Sequence, residues 1–303
     1  MEACGSESGI RQDGLKELRY IRFLNVKDNK YIKDLNHMAD TLVKLNCSGI
    51  FCGVNQNGIK TLINIKKLNI NQNKNILDLN HMKKLEVLKC GGIYSKINND
   101  SIEQLKCVKS LDLYDNMYVF DLKNISSTLK KLICGGQSCI IDQNMISQLN
   151  NLVHLDMYCN YNITDINHLC KSLRYLNCGS SMINQKCINN LCCLHTLDVS
   201  NNKFITNVNH LHKSLIYLYC NGANCGLGSD GISELKKLCK LESYRNNKVG
   251  TIDKIKYNLI KHNDRFVWMF IINYFMMMIN NFLKHTIRKQ LIQLIHRHLH
   301  NLK

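Results

Sequence analysis

The residues that could do chemistry in this chain are its cysteines, its histidines and one glycine-rich loop. Cys134 in "LKKLICGG" follows an aliphatic run and precedes two glycines, a setting in which a thiol could serve as nucleophile or metal ligand. Cys47, Cys90, Cys178 and Cys220 stand in closely similar surroundings, and Cys52, Cys139 and Cys225 complete C-x4-C with three of the five. "LCCLH" brings Cys192, Cys193 and His195 together, while His37, His81, His168 and His210 recur in "LNHM", "LNHM", "INHL" and "VNHL". The stretch "GLGSDG", residues 226-231, matches the glycine pattern of a dinucleotide loop, with Glu242 downstream.

The spacing of these residues says what must position them. "LKKLIC", "LVHLDM", "LRYLNC", "LHTLDV" and "LIYLYC" carry apolar residues at the first, fourth and sixth places. The same frame begins at Ile21, Leu42, Ile65, Leu85, Val108, Leu129, Leu152, Leu173, Leu194, Leu215 and Leu238, which gives eleven units of 20 to 23 residues. Two kinds alternate. One has an aliphatic sixth residue and asparagine ninth (Asn29, Asn73, Asn116, Asn160, Asn202, Asn246), its last copy having Ser243 sixth; the other has cysteine sixth. An internal repeat of this length marks a solenoid, in which no unit can bury its apolar face alone and stacking builds one core.

On these motifs the chain resembles the leucine-rich-repeat family over residues 13-258. The resemblance implies an α/β solenoid with a parallel sheet of about eleven short strands, followed by C-terminal helices. The expected layout is an N-terminal cap at 1-20, with 13-20 as a half-repeat, then repeats over 21-258 and a tail at 259-303. Composition and repeat style are similar to those of such proteins in giant viruses or in protists with A+T-rich genomes.

The frame also assigns the reactive residues. A sixth-place side chain points into the core, where a thiol is a small, inert hydrophobe. Cysteine-type strands alternate with asparagine-type ones, so successive ladder cysteines lie about 9.6 Å apart, too far for a disulfide or a shared zinc. The C-x4-C series is the better metal candidate, yet no set reaches four ligands. The histidines fit a repeated turn, and "GLGSDG" falls where related units have loops such as "KINNDS". No cofactor, metal or enzymatic activity is expected.

A partner is expected on the strand face, where third, fifth and seventh residues point outward. From the fifth unit these include Asp112, Tyr114, His154, Asp156, Tyr158, Tyr175, Asp198, Tyr217, Tyr219, Glu242 and Tyr244, tyrosines interleaved with acids; earlier units carry Lys27, Lys44, Lys67 and Lys89. Tyrosine is enriched in interface hot spots, so a protein or peptide ligand held by a monomeric chain is the expectation. The acidic column disfavours nucleic acid there, despite a formal charge of +17. The first twenty residues lack the apolar core of a signal peptide, which with sixteen cysteines points to the cytoplasm. Residues 266-283 carry no charged residue and precede a basic amphipathic stretch, which suits either a helical cap on the solenoid or membrane attachment through 266-303. A target-recognition subunit of a ubiquitin ligase is a further reading, though nothing ahead of the first unit resembles its docking module.

Overall fold

The computed structural model describes residues 1-251 and 253. The chain divides into two units, Met1–Gly250 and Thr251–Lys303. The first is a solenoid; the expectations for 259-303 lie outside the described residues.

Eleven strands form one parallel sheet in chain order: β1 (Phe23–Asn25), β2 (Lys44–Asn46), β3 (Lys67–Asn69), β4 (Val87–Lys89), β5 (Ser110–Asp112), β6 (Lys131–Ile133), β7 (His154–Asp156), β8 (Tyr175–Asn177), β9 (Thr196–Asp198), β10 (Tyr217–Tyr219) and β11 (Lys240–Glu242). Each is the third to fifth residues of a unit, paired in register with the same places in its neighbours. The fourth place is leucine in every strand, from Leu24 to Leu241, and all are buried. The sixth place is buried in every unit too, from Val26 through Cys134 to Ser243. Between strands the chain returns through 3-10 turns and two single-turn helices, α1 (Gln143–Ile146) and α2 (Gln185–Ile188).

Burying backbone at every turn obliges each carbonyl and amide to find a partner. The ninth-place asparagines meet that demand. Asn160 donates to the Cys134 carbonyl at 2.9 Å and to the Ile141 carbonyl at 3.0 Å, while accepting from the Asn162 amide at 2.8 Å. Asn73, Asn116, Asn202 and Asn246 donate in the same way to the cysteine-type unit ahead of them. Gln12, Gln56, Gln143 and Gln185 stitch in the opposite direction. Gln56, for example, accepts from the Leu77 and Asp78 amides and donates to the Asp78 carbonyl, each at 2.9 Å.

The eighth residue of every unit is left-handed; it is glycine in every cysteine-type unit from Leu42 onward except one, which has Ser180, and another residue type in the asparagine-type units. Asp115 holds this conformation at φ 54° and its carboxylate accepts from the Ser138 amide of the next unit at 3.1 Å. A Cβ on Gly136 would lie 2.2 Å from that same oxygen. The long side chain at Asp115 thus occupies the space that a side chain at Gly136 would need, as Asp28, Gln72 and Asn201 do at Gly49, Gly92 and Gly222, whereas the shorter Cys159 is followed by Ser180.

Residues 1-20 are more than the half-repeat expected from sequence. Asn29 donates to the Ala3 and Ile10 carbonyls, as Asn73, Asn116, Asn160 and Asn246 donate to a cysteine and the residue seven beyond it. Gly5 is left-handed at φ 94°, and Glu2 bridges Asn25 in parallel. This segment is therefore a coil of the cysteine type, with "ACG" where later units have "CSG" or "CGG".

Candidate protein-binding face

The register sets His154, Tyr175, Thr196, Tyr217 and Lys240 side by side in one row, and Asp156, Asn177, Asp198, Tyr219 and Glu242 in the next. The His154 and Tyr175 rings stack with centroids 3.8 Å apart and planes 5° from parallel. Burial, and then Lys131 nearby, pushes the His154 pKa down to about 4, so its imidazole is neutral at pH 7 and stacks as an apolar ring. Burial raises Tyr175 to about 12, with Asp156 and Asp198 adding to it, so the phenol keeps its proton and can donate a hydrogen bond.

Asp156 and Asp198 do two things at once. Each accepts from the amide two residues on, Asp156 from Tyr158 at 3.2 Å and Asp198 from Ser200 at 2.9 Å, which closes the bend after the strand. Each is also held above the usual carboxylate range, chiefly by burial, and neither forms a salt bridge among the described residues. Glu242 is different: it is paired with Lys240, which also lies 5.0 Å from the Tyr219 ring centroid. At the end of the sheet Tyr244 is exposed, with Arg245 5.2 Å from its ring.

Two tyrosines rest on glycines, a pairing the frame alone did not single out. A Cβ on Gly179 would come within 3.0 Å of the Tyr158 ring, and one on Gly135 within 3.2 Å of the Tyr114 ring. Both glycines are seventh-place residues of the next unit, so each ring lies across the neighbouring coil. In sequence the pairing shows only in part: Gly135 and Gly179 follow units with tyrosine seventh, but Gly91 follows one with Asn71.

Asp112 departs from expectation. Its fifth place predicts an exposed side chain, but Asp112 is buried, at 9% exposure. Its carboxylate accepts from the Tyr114 amide at 3.1 Å and from the Asn71 side chain at 3.3 Å, so the bend and Asn71 close over it. Of the eleven residues expected to meet a partner, the sheet brings His154, Asp156, Tyr158, Tyr175, Asp198, Tyr217 and Tyr219 into one patch. Glu242 and Tyr244 continue it, and Asp112 and Tyr114 lie toward β5.

No protein-family model matches the chain, and no curated protein matches it in sequence. Solved structures do. An internalin (InlF) from Listeria monocytogenes superposes with a TM-score of 0.56 at 21% identity, covering 86% of this chain and 84% of that one. The functional domain of InlJ from Listeria monocytogenes, described as including a cysteine ladder, gives 0.57 at 20% identity over 84% of this chain and 55% of its own length. This chain therefore spans about half of the InlJ domain. The fold is a leucine-rich-repeat solenoid.

Within this solenoid most of the candidate reactive residues lie at packing positions, whereas Cys192 and His195 are exposed and the Cys192 sulfur lies 3.6 Å from that of Cys193. Cys134 is fully buried and burial drives its thiol well up, so it carries no thiolate at neutral pH. Cys52 and Cys139 are likewise raised, each to about 11, mainly by burial. His37, His81, His168 and His210 each meet a carbonyl of the preceding coil at 2.9 to 3.1 Å, namely Leu15, Ile59, Ile146 and Ile188. In "GLGSDG", a Cβ on Gly226 would lie 2.6 Å from the Lys203 carbonyl oxygen and one on Gly231 2.1 Å from that of Thr206. These glycines let coils pack closely. Among the described residues no three of His, Cys, Asp or Glu gather closely enough to hold a metal ion, and no helix is long and apolar enough to cross a membrane.

Proposed function

We propose that the chain is a non-enzymatic interaction protein that holds a protein or peptide on the strand face from β7 to β10. One observation carries this reading. Two half-buried carboxylates that form no salt bridge among the described residues, Asp156 and Asp198, sit beside the neutral His154–Tyr175 stack, with Tyr158 laid over Gly179. Rigid aromatic rings next to desolvated charge supply contact area at low entropic cost, and the carboxylates can meet lysine or arginine of a partner. The proposal includes a reducing compartment such as the cytoplasm, because the repeated cysteines serve as core packing. The cysteine ladder named for InlJ supports reading repeated cysteines in such a solenoid as structural.

The test uses a partner captured from cell extract and then purified. Tyr158→Ala with Tyr217→Ala should weaken its affinity about ten-fold or more while the melting temperature holds within a few degrees. Asp156→Asn should also weaken binding, because the amide oxygen can still close the bend while the charge is gone. Unchanged affinity in the tyrosine double variant rejects this face as the site.

A further inference from the structure

Lysines on β2 to β4 form a second, oppositely charged patch on the same sheet. Lys44 and Lys67 are directly paired across β2 and β3, and Lys89 lies one strand further and two residues along. All three are exposed, and none forms a salt bridge among the described residues. Like charges directly opposite one another destabilise a sheet, so this arrangement works against the fold that carries it. Asp112 stands opposite Lys89 in the register, but its carboxylate accepts from the Tyr114 amide and the Asn71 side chain and forms no salt bridge among the described residues. Glu86 does not relieve the lysines either. It is held by Lys109 at 3.1 Å and lies 3.9 Å from Lys66, and it forms no salt bridge with Lys44, Lys67 or Lys89.

The residues that follow β2 and β4 add an apolar wall. Phe51 is 60% exposed and Tyr94 50% exposed, both just beyond the glycine bends of cysteine-type units. They border one open groove lined also by Lys27, Asp28, Asn46 and Asn69, in which the Asp28 carboxylate accepts from the Phe51 amide at 3.4 Å. The shallow basin over Lys44, Lys67 and Lys89 shares those two asparagines. Cations and an exposed aromatic wall thus meet on one continuous surface, several strands away from the Tyr158–Tyr175 patch.

We propose that this surface docks an acidic peptide segment carrying a large apolar side chain, with its carboxylates on Lys44, Lys67 and Lys89 and the apolar group between Phe51 and Tyr94. Charge complementarity selects the occupant. Facing strands lie about 4.8 Å apart and alternate residues of an extended peptide about 6.8 Å apart, a mismatch the flexible lysine stems absorb. The site does not depend on the tyrosine patch, so each can fail without the other.

Fluorescence anisotropy tests it with a labelled nine-residue peptide of Asp and Glu around one central leucine, added to the full chain at low salt. The expected result is saturable binding that Lys44→Glu with Lys67→Glu weakens at least ten-fold, that Phe51→Ser weakens, and that Tyr158→Ala leaves unchanged. Replacing the central leucine by serine should abolish the Phe51→Ser effect. Should the double variant melt early, Lys67→Ala alone reports the same loss at smaller size. The basic tail, with seven Lys/Arg in residues 259-303, is intact in every variant, so binding it alone produces will not change with Lys44 and Lys67. Affinity unmoved by those lysines overturns the proposal. So does a short oligothymidylate that displaces the peptide at lower concentration than unlabelled peptide does, which would assign the patch to nucleic acid.

Discussion

Replacing Asn160 by alanine probes the device that joins one coil to the next. The side chain is 1% exposed and makes three hydrogen bonds, to the Cys134 and Ile141 carbonyls and from the Asn162 amide. A buried polar group left without its partner costs about 1 to 3 kcal/mol, and a net bond is worth about 1. Some of the three groups will recover water or shift, so the loss should fall near 3 to 5 kcal/mol rather than at the full sum. Asn160→Asp should be worse at neutral pH, since it trades a donor for a negative oxygen facing two carbonyls, and should recover as acid protonates it. Urea unfolding followed by circular dichroism at 25 °C measures this, with the exposed Asn144→Ala as a control expected within about 0.5 kcal/mol of the parent. A loss below about 1 kcal/mol for Asn160→Ala would refute the idea that these asparagines hold the coils together.

Further outcomes follow from the same geometry. Gly58→Ala should destabilise by about 1 to 3 kcal/mol, because its Cβ would stand 1.8 Å from the Lys33 carbonyl oxygen, whereas at Gly14 the nearest atom is 3.9 Å away; equal melting temperatures for the two variants would contradict the close coil packing. Cys134→Ser should lose about 1 to 3 kcal/mol in thermal or chemical melts by placing a hydroxyl in a fully buried site. His154 titrates near 4 in the folded chain and near 6.5 when unfolded, so it favours folding above pH 6.5 relative to its charged form, and that contribution is lost as pH falls from 6.5 toward 4. His154→Phe should therefore melt with a shallower decline over that window, and parallel curves for both proteins would show that His154 is not buried against Tyr175.

Most of the fold was legible because the repeat converts one pattern into eleven copies of evidence. Leucine at every fourth place and an apolar or cysteine residue at the sixth fixed strand, face and register together, and the ninth asparagine announced its bend. What could not be read depends on the neighbouring coil rather than on the residue itself. Gln56 and Gln143 look like ordinary loop residues until the adjacent unit brings two amides within reach of one side chain. The first coil was hidden because Ala3 replaces the marker cysteine. Asp112 carries the outward signature of its place, yet Asn71 reaches across to cover it from two units away. The tyrosine patch was legible as a list of outward places; its stacking, its glycine supports and the shifted ionisation of its carboxylates required the packed structure.

The proposed protein partner lies on the sheet between β7 and β10. Site-specific photo-crosslinking tests it most directly, with benzoylphenylalanine placed at Thr196, between Tyr175 and Tyr217 in the row, and separately at Asn144 in α1. Position 196 should give a discrete protein adduct that disappears in the Tyr158→Ala, Tyr217→Ala background, and position 144 should give none. An adduct formed from position 144 instead, or one at 196 that survives loss of both tyrosines, would contradict it.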